Sequence, residues 1–106
     1  MNATQIRIKK LRDLLLIHSC IYYHLNDSIV SDAVWQDWAN ELRILQEQNN
    51  SDIDYFDNEF KEWDGTTGHH LPVTSWVMHK ANQLLRYRYD NKMDDLFYSN
   101  NSRHTR

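Results

Sequence analysis

Two tyrosines, an aspartate and a tryptophan fall close together in the stretch HSCIYYHLNDSIVSDAVWQDWANEL, residues 18–42. An aromatic face attracts a flat cation through its ring quadrupole, worth roughly 0.5–2 kcal/mol depending on how far the pair is desolvated. A carboxylate beside the ring adds charge complementarity, and hydroxyls nearby can bond a sugar. Tyr22 and Tyr23 supply aromatic faces and phenols, Asp32 a carboxylate and Trp35 an indole. Asp32 and Trp35 are three residues apart, so they share one face of a helix. The short link between Tyr23 and Asp32 folds that face back toward the tyrosines. The spacing predicts a slot for a flat, positively charged ring. A purely structural reading competes with it, in which Tyr22 and Trp35 are core aromatics that lock two antiparallel helices.

The elements that would position these groups are helical. Ile8, Leu11, Leu15, His18, Tyr22 and Leu25 recur at three and four, which predicts one helical face over residues 4–25. Thr4 suits its N-cap, and Lys9, Lys10, Arg12 and Asp13 its wet side. Asn26-Asp27-Ser28 marks a turn. Ser31 suits a second N-cap, with Asp32 and Asp37 placed where the helix dipole favours negative charge. Trp35, Trp38, Leu42 and Leu45 carry that helix to about Gln48. Ile53, Phe56, Phe60 and Trp63 predict a short third helix over 52–62. The segment DGTTGHHLP, residues 64–72, holds both glycines and the only proline and reads as a loop. Thr74 or Ser75 caps a fourth helix that continues toward Tyr98. The expected fold is therefore all-α: an antiparallel pair of long helices, with a short third helix and a C-terminal helix packed against it. Residues 1–98 form the single domain and 99–106 a flexible polar tail.

The same stretch resembles the N-terminal domain (domain Ia) of bacterial NAD-dependent DNA ligases. The ligase pattern of the first helix, roughly L-R-x-x-I-x-x-H-x-Y-x-Y-Y, is matched here at His18, Tyr22 and Tyr23, with Cys20 in place of a frequent Tyr. The pattern of the second, I-S-D-A-E-Y-D-x-L-x-x-E-L, is matched at Ser31, Asp32, Ala33, Glu41 and Leu42. The resemblance runs without a gap from 11 to 42. It implies a site for the nicotinamide mononucleotide (NMN) half of NAD, built from Tyr22, Tyr23, Asp32, Trp35, Gln36 and His18. Two positions depart from the pattern: Trp35 stands where the family has Tyr, and Gln36 where it has Asp. The first keeps a stacking surface, while the second removes a negative charge beside a cationic ring. Asp37 lies about 100° round the helix and does not replace it.

The ligase's catalytic K-x-D-G lysine has no counterpart. Lys61-Glu62-Trp63-Asp64-Gly65 has one residue too many, and no nucleotidyltransferase, OB-fold or zinc module is present. The expectation is a binding module rather than an enzyme. The loop and the W-V-x-x-K-A-x-x-L-L segment after it also look similar to small stand-alone, ligase-related phage proteins.

Composition narrows the remaining classes. The formal charge is −3, which argues against a general duplex binder. A single Cys permits no internal disulfide, and no apolar run is long enough for a membrane span. A protein of the bacterial cytoplasm is the expectation. His69-His70 and His79 make a poor metal set, because adjacent histidines diverge and no spacing completes a tetrahedron. Gly65-Thr66-Thr67-Gly68 lacks the Lys-Ser/Thr of a phosphate loop and reads as a turn. Cys20 reads as an inert buried thiol, and the Arg86–Tyr89 stretch as a solvated face. Two functions follow. One is a non-catalytic binder of NMN or NAD, acting as a ligase accessory or as a sensor or sequesterer of the metabolite. The other is a phage-type interaction protein that inhibits a host or defence protein, in the manner of an anti-CRISPR.

Overall fold

A computed structural model of the chain describes residues 2–61 and 63–101, with side chains through Arg88. Four helices follow in order: α1 (Ala3–His24), α2 (Asp32–Gln48), α3 (Asp57–Lys61) and α4 (Ser75–Asn101), with no strand among the described residues. No helix among these residues is long and apolar enough to cross a membrane.

The N-cap of α1 is Asn2 rather than Thr4. Its side chain accepts the Gln5 N–H at 2.8 Å, and the Gln5 side chain returns the bond to the Asn2 N–H, which closes a capping box. Ser31 caps α2 through the Val34 N–H at 3.2 Å, and Thr74 caps α4 through the Val77 N–H at 3.1 Å. The α1–α2 connection closes on Asn26, which takes a left-handed conformation (φ 53°) that Asn tolerates well. Helix α4 continues through Asn101, so the first residues assigned to a polar tail are helical, and 102–106 lie outside the described residues.

Helix α1 is the axis of the molecule. It packs on α2 and on α4. Contacts of Ser19 with Trp35 and of Arg12 with Gln46 set α1 and α2 antiparallel. Val77 and Ala81 are fully buried, while Arg88 reaches the Ser28 carbonyl at the foot of α1, so α4 runs alongside α1 in the same direction. Flanked on two sides, α1 is buried over a continuous run from Leu15 to Ile21, and not along one stripe. Each fully buried Leu or Ile there contributes roughly 1.5–3 kcal/mol. Tyr22, expected on the core face, is instead 55% exposed, because it lies past the end of that run.

Arg12 departs furthest from expectation. Read as part of the wet side, it is 1% exposed. Its Nε and one Nη2 hydrogen both reach Gln46 Oε1, at 3.1 and 2.9 Å. Nη2 also donates to the Ser51 carbonyl at 3.1 Å, and Nη1 to the Tyr55 carbonyl at 2.8 Å and Asp57 Oδ1 at 2.6 Å. All five N–H groups of the guanidinium therefore have a partner. Asp57 also accepts the backbone N–H groups of Ile53, Asp54 and Tyr55. This wrapping explains why the third helix is shorter than the pattern predicts. Asp54 and Phe56 take positive φ (56° and 58°) to curl the chain round the carboxylate, and helix begins only at Asp57.

Two outcomes follow. Arg12→Ala strands Asp57 and two carbonyls, and urea unfolding should show a loss of about 3 kcal/mol or more, with Arg12→Lys restoring only part of it because an ammonium offers three donors and no fork. A loss under about 1 kcal/mol would rank Arg12 with ordinary surface ion pairs. Partial burial alone would raise the Asp57 carboxyl, but the Arg12 bond and the three N–H donors outweigh it and hold it below the usual range. A carboxyl with a depressed folded pKa stabilises the fold above its unfolded value, about 3.9, and that contribution drains as pH falls through the folded value. The stability gap between the native chain and Asp57→Asn should thus be widest above pH ~4 and shrink below it in acid unfolding.

Candidate functional site

The last turns of α1 and the first turns of α2 carry the predicted residues, and the turn between them brings the two ends together. His18, Tyr22, Tyr23, Asp32, Trp35 and Gln36 all line one cavity of about 310 Å³. The structure thus brings every predicted site residue to a single place. Asp37 is exposed and does not line it.

The side chains divide into those fixed by the fold and those left open. Trp35 is half-buried, its N–H donates to Ser19 Oγ at 3.2 Å, and its ring meets Trp63 edge-on at 6.3 Å. Gln36 donates to the Gly65 carbonyl at 3.0 Å and to Asn40 Oδ1 at 3.1 Å. Tyr22 and Tyr23 meet edge to face, centroids 4.8 Å apart, and the Tyr23 hydroxyl bonds Thr67 Oγ1 at 3.0 Å. His18 is buried against Trp38, with centroids 5.2 Å apart. Burial lowers its pKa, so the imidazole is neutral at pH 7, and its Nδ1 is buried without a hydrogen-bond partner among the described residues. Asp32 pairs with no cation among the described residues, and the Tyr22 phenol makes no hydrogen bond among them. Cys20 is buried nearby, and burial pushes its thiol up, away from the reactive thiolate.

The third wall is a surprise from the sequence. The loop of residues 64–72, read as a turn, closes the cavity with Thr66 and Thr67. Trp63 holds it by donating its indole N–H to the Thr67 carbonyl at 2.8 Å, and Asp64 holds it through the Thr66 N–H and hydroxyl. Gly65 adopts φ +83°, the left-handed region open to glycine, and so presents its carbonyl to Gln36. Gly68 lies so close to α1 that a Cβ would stand 2.0 Å from Ser19 Oγ and 3.2 Å from the Trp35 ring. His69 packs its ring edge-on against Tyr23 at 5.2 Å, which makes it a loop contact. Ser19, Ser28, Ile29 and Val30 complete the lining and were not anticipated. One signal pointed to the loop: it holds both glycines and the only proline of the chain, with a Thr-Thr pair between the glycines.

Comparison of the chain with protein-family models, with curated proteins and with solved structures finds no match. The groups around the open space are two phenol rings, an indole, the Asp32 carboxylate, which has no cationic partner among the described residues, and the buried His18 imidazole.

The close approach at Gly68 gives a direct test. Gly68→Ala must push the loop off α1 or displace Ser19, a clash that typically costs about 1–3 kcal/mol. Thermal unfolding should show that loss together with a change in tryptophan emission, since Trp35 and Trp63 both touch the displaced region. Unchanged melting and emission would mean the loop does not bear on α1.

Proposed function

We propose that the chain is a non-catalytic binding module for a nicotinamide nucleotide, NMN or the NMN half of NAD, in the bacterial cytoplasm. The observation that carries this reading is the convergence of Tyr22, Tyr23, Asp32, Trp35, Gln36 and His18 on one cavity of about 310 Å³. That volume sits at the lower edge of the range for small-molecule sites, roughly 300–1,000 Å³, so it suits one ring with its sugar better than a whole dinucleotide. The exposed Tyr22 ring and the Trp35 indole supply π faces for the cationic ring, and Asp32 supplies the matching charge. Gln36, placed where the ligase pattern carries Asp, is turned to the Gly65 carbonyl and acts as a loop anchor. Such a module would sense or sequester the metabolite, or assist a separate ligase.

A second reading has one observation in its favour. Trp76 and Tyr87 lie on the outward side of α4, 41% and 65% exposed, with Lys80 between them, as an interaction surface would have them. On that reading the chain is a phage-type protein that inhibits a host or defence protein.

Titration of tryptophan fluorescence separates the two. The binding reading expects a saturable quench at sub-millimolar NMN, weaker with NAD, and lost in Trp35→Ala. No response to either ligand up to millimolar concentration would sink it in favour of the interaction protein.

A further inference from the structure

We infer that His18 is the specificity-determining residue of the cavity: its imidazole Nδ1 bonds the carboxamide of a nicotinamide ring, so that pyridinium nucleotides bearing the amide are preferred to those without it. The inference rests on the binding reading above and names the group of the ligand that is recognised.

Burying a polar atom without a partner carries a penalty, and native folds leave few such atoms unexplained. Three polar side chains are buried among the described residues: Arg12, His18 and Ser19. The fold satisfies two of them. Arg12 is bonded to Gln46, Asp57 and two carbonyls, and Ser19 Oγ takes the Trp35 N–H. His18 is the third, 8% exposed, and its Nδ1 is buried with no hydrogen-bond partner among the described residues. Its ring packs on Trp38 at 5.2 Å, a contact that an apolar side chain would supply without stranding a nitrogen. The unsatisfied side chain is also one that lines the cavity.

His18 lies one helical turn before Tyr22, so the two share a face of α1. Tyr22 is largely in water and His18 is buried, which sets them at the outer and inner parts of the same wall. A pyridinium ring laid against Tyr22 would turn one edge inward to the imidazole. A carboxamide on that edge carries both donors and an acceptor, and a neutral imidazole has one nitrogen that donates and one that accepts. Burial lowers the His18 pKa and keeps the ring neutral. Whichever tautomer His18 holds, Nδ1 finds its complement in the amide. Nδ1 is covered by protein, and a half-turn about Cβ–Cγ would set it toward the cavity while leaving the ring's outline, and so its packing on Trp38, nearly unchanged.

The test compares NMN with its pyridinium analogue, which has hydrogen in place of the carboxamide, by calorimetry at pH 8, above the ordinary histidine range. NMN should bind the native chain roughly tenfold more tightly. His18→Leu, close in volume and without the nitrogens, should close that gap by weakening NMN alone. Its free form should melt no lower than the native chain, since no hydrogen bond within the fold is lost. His18→Asn, which keeps a polar atom near the place of Nδ1, should restore part of the gap. Equal binding of the two nucleotides to the native chain, a gap that survives in His18→Leu, or one that His18→Asn does not begin to restore would overturn the inference and leave the pyridinium site standing. A melting temperature several degrees lower in His18→Leu would mean that the imidazole serves the fold, and would overturn it as well. Binding of neither nucleotide to the native chain would overturn the site itself, and this inference with it.

Discussion

A guanidinium taken out of water must find a partner for each of its N–H groups, or the fold that buries it loses several kcal/mol. Arg12 meets that demand by drawing four pieces of chain to one point: Gln46 from α2, the Ser51 and Tyr55 carbonyls from the link, and Asp57 at the start of α3. The consequences reach the cavity through a line of aromatic contacts. The Arg12 guanidinium lies over the Phe60 ring at 5.6 Å, Phe60 meets Trp63 edge-on at 5.3 Å, and Trp63 meets Trp35 at 6.3 Å. Trp63 also holds the Thr67 carbonyl, and Thr67 holds Tyr23. The loop that forms the third wall thus hangs from the Arg12 cluster, although Arg12 sits midway along α1 and the loop meets the last turns of that helix at Ser19 and Tyr23.

This arrangement would leave the cavity walls little to rearrange were a ligand to enter. Trp35, Gln36, Tyr23 and Thr67 are each fixed by at least one hydrogen bond to another part of the fold. Ordering a rotamer-rich side chain on binding costs about 0.5–1.5 kcal/mol, and a wall already ordered avoids much of that cost. Tyr22 and Asp32 line the cavity with no side-chain hydrogen bond or ion pair among the described residues.

The helices and their caps were legible because their signals are local. Apolar spacing and the Ser31 and Thr74 hydroxyls mark elements whatever packs against them. The six candidate site residues were legible for a related reason: they lie within two turns of one connection, so helical geometry alone decides whether they meet. Arg12 was not legible. Its spacing fits a wet side, and only a partner from residues 51–57, distant in sequence, makes burial favourable. The true start of α3 was hidden for the same reason, since the turn at 54–56 follows the Asp57 carboxylate rather than any apolar period. The role of the 64–72 loop depends on Gly68 touching Ser19 and Trp35, a contact no linear pattern encodes.

The structural and functional readings of the aromatics turn out to describe different parts of the same side chains. Trp35 is partly a packing residue, since its ring edge and its N–H are committed to Trp63 and Ser19. Tyr22 is not: more than half of it stays in water, and its one aromatic contact among the described residues is Tyr23. A single exposed aromatic is common on protein surfaces and calls for no explanation. An exposed ring that shares a concave wall with an indole and a carboxylate is a different case, because the three would offer the same thing to a ligand. The negative faces of the rings and the charge of Asp32 would all favour a cation, and among the described residues no side chain of opposing charge lines the cavity. A cation is what this wall would favour, and the Ser28, Thr67 and Tyr23 hydroxyls beside it would meet any sugar that such a ligand carried.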